Sequence, residues 1–382
     1  MDMELVKKIH KDHTGVLQID GELPVSTMEE LGEAYTPGVA EISKIIAKNH
    51  DLAQEYTVSG KLVAIITDGS AVLGLGDIGP QGGLPVIEGK ALLYKRLANV
   101  NAIPLALDQV DVDEFVQTVV NISKSFAGIH LEDIAAPRCF EIEQKLAEKL
   151  DIPVYHDDQE GTAIVVLAGL INAAKVVNKD LKDLKVVING VGASGLATAE
   201  LLYKSGIKNI VLVDQKGVIN SKETSLNDYQ YDLMKRIGLK SDAKTLADAM
   251  KGADAFVGLS VGGLVTKEMV ASMDKGIVFA LANPKPEIEP ELAKEAGAVV
   301  VATGSSQHPN QVNNILAFPG LFRGLLENHV DHFSAEMEAS VAHGLASMIS
   351  DPKPEKIIPG VFDKNVVKTV SDAVTNFVKN EG

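Results

Sequence analysis

Cysteine is almost absent from this 382-residue chain: Cys139 stands alone, so no internal disulfide can form and a reducing cytoplasm is the expected compartment. Basic residues are in deficit, 36 Lys and Arg against 52 Asp and Glu, for a formal net charge of −16. A surface of that sign repels a phosphate backbone, which argues against a nucleic-acid partner. Long apolar runs are missing as well. The first eight residues, Met1 to Lys8, hold no continuous apolar stretch of signal-peptide length. The longest apolar run begins at Ala163 and is interrupted by Asn172 and Lys175. It is too short to span a bilayer and reads as a buried helix, so no membrane partner is expected. No short repeat or low-complexity segment occurs. What is present is a hydrophobic content of 46%, enough for the cores of two ordinary domains.

Apolar runs alternate with helical patterns from Leu62 onward. Strands are expected at Leu62–Thr67, Asn101–Leu107, Gly128–Ala135 and Ile152–Tyr155, with helices at Glu88–Ala98, Asp113–Ser123 and Phe140–Leu150 between them. That order predicts a mainly parallel α/β sheet over residues 1–160, covered by helices. A long apolar helix, Thr162–Val177, marks the boundary. The second domain, 161–382, is expected to carry strands at Leu184–Asn189, Asn209–Val213, Ala255–Ser260, Ile277–Ala282 and Ala298–Ala302, in the order of a doubly wound, Rossmann-like fold. Helical stretches at Gln311–Glu327 and Val367–Lys379 are expected to pack back across the domain junction.

The pattern GxGxxG occurs twice. Gly74-Leu-Gly76-Asp-Ile-Gly79 runs into Pro80-Gln-Gly-Gly-Leu-Pro85 and is expected to be a loop. Gly190-Val191-Gly192-Ala193-Ser194-Gly195 instead follows the apolar Val186-Val-Ile and opens into a helix from Ala193 to Lys204. There the glycines permit a tight turn and close approach of a pyrophosphate, which the helix N-terminus receives with free N–H groups. Asp214, 24 residues beyond Gly190, ends the next strand. A carboxylate there accepts hydrogen bonds from ribose hydroxyls and repels a 2′-phosphate, which favours NAD, with NADP still open.

Acids follow the strands of the first domain: Asp68, Asp108, Glu132 with Asp133, and Asp157 with Asp158. Parallel strands bring such residues to one rim, where a hard dication such as Mg²⁺ or Mn²⁺ would relieve their repulsion. Solvated loop acids account for the same pattern equally well. His156 adjoins the last pair, but one histidine does not make a zinc site. A dinucleotide site beside a hard-metal site suits oxidation of a 2-hydroxy acid. Hydride leaves for nicotinamide while a base takes the hydroxyl proton, and the resulting 2-keto acid can then lose a β-carboxylate, an acid protonating the enol.

Seven segments together resemble the malic enzymes. They are Tyr35-Thr-Pro-Gly-Val-Ala-Glu41, Leu73-Gly-Leu-Gly-Asp-Ile-Gly79, Glu88-Gly-Lys-Ala-Leu-Leu-Tyr94, Leu131-Glu-Asp-Ile-Ala135, His156-Asp-Asp-Gln-Glu-Gly-Thr-Ala163, Leu281-Ala-Asn-Pro284 and Asn313-Asn-Ile-Leu-Ala-Phe-Pro-Gly320. The resemblance covers most of the chain and implies a short bacterial-type enzyme that oxidatively decarboxylates (S)-malate to pyruvate and CO2. It implies Tyr35 as general acid, Lys90 as general base on the substrate hydroxyl, and Glu132, Asp133 and Asp158 as metal ligands. Asp157 then sits beside the Lys90 amine. Asn283 and Asn314, with neighbouring Asn313, are implied as amide contacts to the substrate carboxylate and nicotinamide ribose. Taken alone, Tyr35 reads as turn packing, Lys90 as a solvated helix lysine and the asparagines as turn and cap residues. Lys90 can serve as a base only if burial or a neighbouring charge lowers its pKa from about 10.4. Larger family members carry an arginine where this chain has Ser70-Ala71-Val72; a substrate carboxylate must here find backbone N–H groups of the Gly74–Gly83 loop or a residue of another subunit. A homodimer is implied, with the segment Leu5–Gln18 as a candidate contact. Malolactic conversion with retained cofactor, and a catalytically inert nucleotide sensor, are the alternatives.

Overall fold

The computed structural model describes residues 2–72, 74–219, 227–237 and 241–381, in which ten strands form two sheets. Leu73, first residue of one segment named above, lies outside the described residues. Strands β1 (Leu62–Thr67), β2 (Asn101–Ala106), β3 (Gly128–Leu131) and β4 (Val154–His156) make an all-parallel sheet in the order β2-β1-β3-β4. The second sheet joins β5 (Lys185–Asn189), β6 (Asn209–Asp214), β7 (Gly217–Val218), β8 (Ala255–Gly258), β9 (Ile277–Ala280) and β10 (Val300–Thr303) in the order β10-β9-β8-β5-β6-β7. It is parallel except for the antiparallel edge strand β7.

The unbroken apolar runs explain this arrangement. Val63 to Ile66 and Val186 to Ile188 are buried on both faces, as strands sandwiched between helix layers must be. In each sheet the chain order reverses beside one strand, β1 in the first and β5 in the second. Ligand crevices open at such points, beyond the carboxyl ends of the strands. The helix Thr162–Val176 joins the two sheets and is buried continuously from Ala163 to Ala174, which accounts for its lack of a polar face.

The structure departs from the sequence reading in four ways. The stretch after Gly74, expected to loop as far as Pro85, becomes helical at Gly79, and that helix runs to Leu93. Pro80 sits in the first turn, where no N–H donor is needed, and Pro85 gives up one backbone bond while the helix packs closely on β1. A Cβ on Gly83 would stand 3.1 Å from Thr67 Cγ2, so the glycine is what permits that approach. Second, β3 stops at Leu131 instead of Ala135 because Asp133 turns into the left-handed region, φ 55°. Third, the helix expected at Gln311–Glu327 is a short 3₁₀ turn, Asn314–Leu316, followed by a helix at Phe318–Glu327. Fourth, β7 and the helix Ala335–Ser347 carry too little pattern to have been anticipated.

The helix Phe318–Glu327 belongs to the second half of the chain yet packs on the first sheet, Phe318 meeting Tyr94 edge-on at 4.9 Å between ring centroids. The carboxyl-terminal region therefore does cross the junction. At the other end, no residue from 2 to 58 is buried. No helix among the described residues is long and apolar enough to cross a membrane.

Candidate active site at the domain junction

Lys90 is the centre of the site. The helix Gly79–Leu93 lays it over the carboxyl ends of β3 and β4, with a side chain 12% exposed. Its ammonium pairs with Asp157 Oδ2 and, at 2.6 Å, with Glu132 Oε2. Glu132 follows β3 directly and its N–H still bonds the Ile66 carbonyl of β1, so the sheet fixes its backbone. Asp157 opens a π-helical turn, Asp157–Gly161, between β4 and the junction helix. Such widened turns occur often at functional sites. The turn carries Asp158 beside Asp133, whose N–H donates to Asp158 Oδ2 at 3.0 Å.

Glu132, Asp133 and Asp158 each offer a carboxylate oxygen within 4.8 Å of the others. Burial, followed by the neighbouring acids, pushes Glu132 up to about 8 and Asp158 up to about 7. Both acids therefore hold back from ionising, the behaviour of a carboxylate cluster short of positive charge. An all-oxygen donor set of this kind fits a hard dication and suits neither zinc nor copper. Lys90 differs from the condition set by its sequence. Burial alone would lower its pKa, but Asp157, Glu132 and Asp158 outweigh burial and hold the ammonium well above its ordinary value.

The other expected residues divide into two groups. Asp158, Ser194, Asn283, Asn313 and Asn314 line one cleft of about 670 Å³ between the two sheets, together with Thr162, Ser260 and Gly304. Asp158 thus belongs to both the acid cluster and the cleft wall. Behind Ser194, the turn Gly190–Gly195 has the form a dinucleotide site requires. Gly190 sits at φ 120°, and a Cβ on Gly195 would overlap the Gly190 carbonyl oxygen. Gly192 instead faces open space. Asp214 closes β6, its Oδ1 accepting from Lys216 N at 2.6 Å and Gly217 N at 3.1 Å. Asn313 Oδ1 accepts from Ile315 N.

Three residues stand apart. Tyr35, at the C-terminus of the helix Met28–Ala34, is 65% exposed, and the Lys90 ammonium is engaged by Asp157 and Glu132 instead. Asp108 is exposed and does not join the rim. Asp68 is buried but is engaged by Arg138 at 3.3 Å and by the Ser70 hydroxyl. His156 is buried beside the acids, with Nδ1 3.9 Å from Asp158 Oδ2.

Sequence reasoning missed Tyr94, His130 and Tyr155, which lie directly behind the acids. Tyr94 OH bonds His130 Nδ1 at 2.8 Å, His130 Nε2 meets Glu132 Oε2 at 2.8 Å, and Tyr155 OH donates to Asp157 Oδ1 at 2.5 Å. A signal was available. His130 and Tyr155 stand two residues before Glu132 and Asp157, the same-face spacing of a strand, and Tyr94 stands four after Lys90, the same-face spacing of a helix.

Two largely parallel sheets, a glycine turn at a chain reversal and a lysine-centred acid cluster that shares a cleft with it through Asp158 define a dinucleotide-dependent α/β enzyme. Comparison with known proteins narrows the class. The malic enzyme N-terminal domain matches residues 20–147, and the malic enzyme NAD binding domain matches residues 159–380. The chain is 47% identical to the bifunctional malic/malolactic enzyme of Bacillus subtilis, covering 98% of this chain and 92% of that one. It is 44% identical to the NADP-dependent malic enzyme of Halomonas elongata, covering 94% and 85% respectively. The crystal structure of the NAD-dependent malic enzyme of Thermotoga maritima superposes with a TM-score of 0.91 at 43% identity, over 96% of this chain and 98% of that one. The chain belongs to the malic enzyme family.

Proposed function

We propose that this chain oxidatively decarboxylates (S)-malate to pyruvate and CO2, reducing NAD(P) in the presence of Mg²⁺ or Mn²⁺. The observation that carries the reading is the shared cleft, in which Asp158 of the acid cluster and Ser194 of the glycine turn line the same wall. Glu132, Asp133 and Asp158 would hold the cation. Once bound, it would supply positive charge that polarises the substrate oxygens and offsets the carboxylates that keep Lys90 protonated.

Lys90 would accept the 2-hydroxyl proton, with Asp157 keeping the amine oriented, while NAD(P) bound at the glycine turn would supply the acceptor for the C2 hydride. When the C3–C4 bond breaks, CO2 departs and its bonding electrons pass to the remaining enolate, which Tyr35 protonates at C3. Asn283, Asn313 and Asn314 supply amides along the cleft for a substrate carboxylate and the nicotinamide ribose. Asp214 keeps one oxygen for the hairpin turn and offers the other to the adenosine ribose, which favours NAD.

Tyr35 sits on a segment with no buried residue and with exposed apolar side chains that include Met3, Leu5, Ile9, Met28, Val39 and Ile45. We assign this segment to the contact of a homodimer, in which Tyr35 serves the site of the second copy. The expected contact extends well beyond the Leu5–Gln18 stretch, most of which is one helix, Met3–His13. The single buried cysteine suits a reducing cytoplasm.

The test is malate-dependent growth of the reduced-nicotinamide band by protein stripped of metal and then given Mn²⁺. No growth with either NAD or NADP contradicts the reading. Because one relative is named a bifunctional malic/malolactic enzyme, the product should be identified. Lactate formed without net cofactor reduction would favour the malolactic alternative.

A further inference from the structure

The residues behind the acid cluster form a connected set. Tyr94, His130 and Tyr155 are all fully buried: Tyr155 bonds Asp157, and Tyr94 bonds His130, which in turn bonds Glu132, so two of the three reach the carboxylates that flank Lys90 directly. Between Glu132 and Asp157 the space is filled by Lys90 Nζ, so the trio His130, Glu132 and Asp157, although close enough to ligate an ion, is already occupied by an ammonium.

The hydrogen bonds determine where the protons lie. Glu132 Oε2 faces both Lys90 Nζ at 2.6 Å and His130 Nε2 at 2.8 Å. Two acceptors do not approach that closely without a proton between them, and Oε2 already accepts from the Lys90 ammonium, so in the ionised form of Glu132 that would bind a cation the proton is on Nε2. Nδ1 is then bare and accepts from the Tyr94 hydroxyl at 2.8 Å.

We propose that His130 is a positioning residue for metal binding: with its tautomer fixed by Tyr94, it holds Glu132 Oε2 so that the carboxylate stays turned toward Asp133 and Asp158. Without this donor, Glu132 keeps Lys90 as a partner and is free to swing onto the ammonium with both oxygens, which withdraws it from the ligand set. Neighbours that hold ligand side chains in this way typically change metal affinity by about 10–100-fold. The inference rests on the reading of Glu132, Asp133 and Asp158 as the metal site.

The experiment is titration of the purified full chain with Mn²⁺ alone, with free ion followed by its paramagnetic resonance signal and NADH binding followed by nucleotide fluorescence. His130→Phe keeps a ring among Tyr155, Phe318 and Phe322, whose centroids lie 5.3 Å, 5.8 Å and 6.1 Å away. It should weaken Mn²⁺ by about 10–100-fold while NADH affinity stays within about twofold. His130→Gln, which retains an N–H donor, should recover part of the loss. The double variant Tyr94→Phe/His130→Phe removes both ends of the inner bond, leaves no buried hydroxyl unpaired, and should show the same loss if the single variant folds poorly. Wild-type Mn²⁺ affinity in either Phe variant, or loss of Mn²⁺ and NADH binding in parallel, overturns the proposal. Failure of the underlying reading looks different: the wild type then binds no stoichiometric Mn²⁺, or Asp158→Asn binds it as tightly as the wild type.

Discussion

Lys90 faces opposing influences. Burial favours the free amine, while Asp157 and Glu132 favour the ammonium and prevail in the protein alone. On the proposed role of Lys90 as a base, part of the surrounding negative charge must be offset before it can accept a proton, which is what a cation on the same acids would do. Lys90→Ala should lower kcat for malate oxidation by about 10²–10⁴-fold, the range expected when a general base is removed. Its NADH affinity should be unchanged, because Lys90 does not line the cleft shared with the glycine turn. Steady-state kinetics with a parallel nucleotide titration checks both halves, and near-normal turnover rejects the role. At this scale the sequence was informative about charged groups and blind to those that orient them. Lys90 and the four carboxylates were legible from strand ends and family segments. His130 and Tyr155 were not, because a buried ring in an apolar strand looks like core until its partner two residues on is assigned a role.

The element that couples the two halves of the site is the π-helical turn Asp157–Gly161. One side of it presents Asp157 and Asp158 to the site, and from the other Gln159 donates to Glu143 at 2.5 Å while Glu160 accepts from His156 N at 2.7 Å. Glu143, Glu160, Glu200 and Glu338 share that second side with Arg236 and Lys204, both of which are engaged with Glu200. Burial raises Glu143 to about 7. A carboxyl held above its ordinary 4.5 in the folded state binds a proton that the unfolded chain has already released. Its contribution to stability is complete below pH 4.5 and is lost as pH rises through about 7. Glu143→Gln should therefore melt higher than the wild type above pH 7, by ~2–4 °C for a domain of this size, and the two curves should converge in acid. Parallel melting curves across that range contradict the assignment.

The glycine turn makes a sharper contrast. Gly195→Ala forces a Cβ into the Gly190 carbonyl and should destabilise the second domain, whereas Gly192→Ala meets no protein atom and should fold normally yet bind NADH weakly. Melting and nucleotide titration separate the two; equal stability of both variants contradicts the packing account. This turn was legible in advance because strand, turn and helix agree there. The first glycine repeat is the loop it was read as up to Ile78, but the stretch 80–85 after it was misread for the converse reason. Pro80 and Pro85 argue locally against a helix, and close packing of Gly83 on β1 overrides them.

Over the whole molecule, the alternation of apolar runs identified both sheets, and a return of the helix near Gln311–Glu327 across the junction was expected, while the particular residues that meet there lay beyond sequence reach. Phe318 and Phe322 come from the second half of the chain and surround His130 in the first. Nothing local to either segment announces that meeting. The amino-terminal segment is the complementary case, with apolar residues at helical spacing and no core of its own to enter. If a second copy covers it and each Tyr35 serves its neighbour's site, Tyr35→Phe and Lys90→Ala chains, each inactive alone, should regain activity when mixed and reassembled. One site of the mixed dimer then carries both intact residues. A mixture as inactive as its parts contradicts sharing across the contact.

The central claim is the reaction itself. It is tested most directly by incubating the protein with (S)-malate, NAD or NADP, and Mn²⁺ or Mg²⁺, and measuring both the organic product and the reduced cofactor. The account predicts pyruvate and reduced cofactor in equal amounts, with neither formed when metal is withheld. Metal-independent turnover, or oxaloacetate accumulating in place of pyruvate, would contradict it.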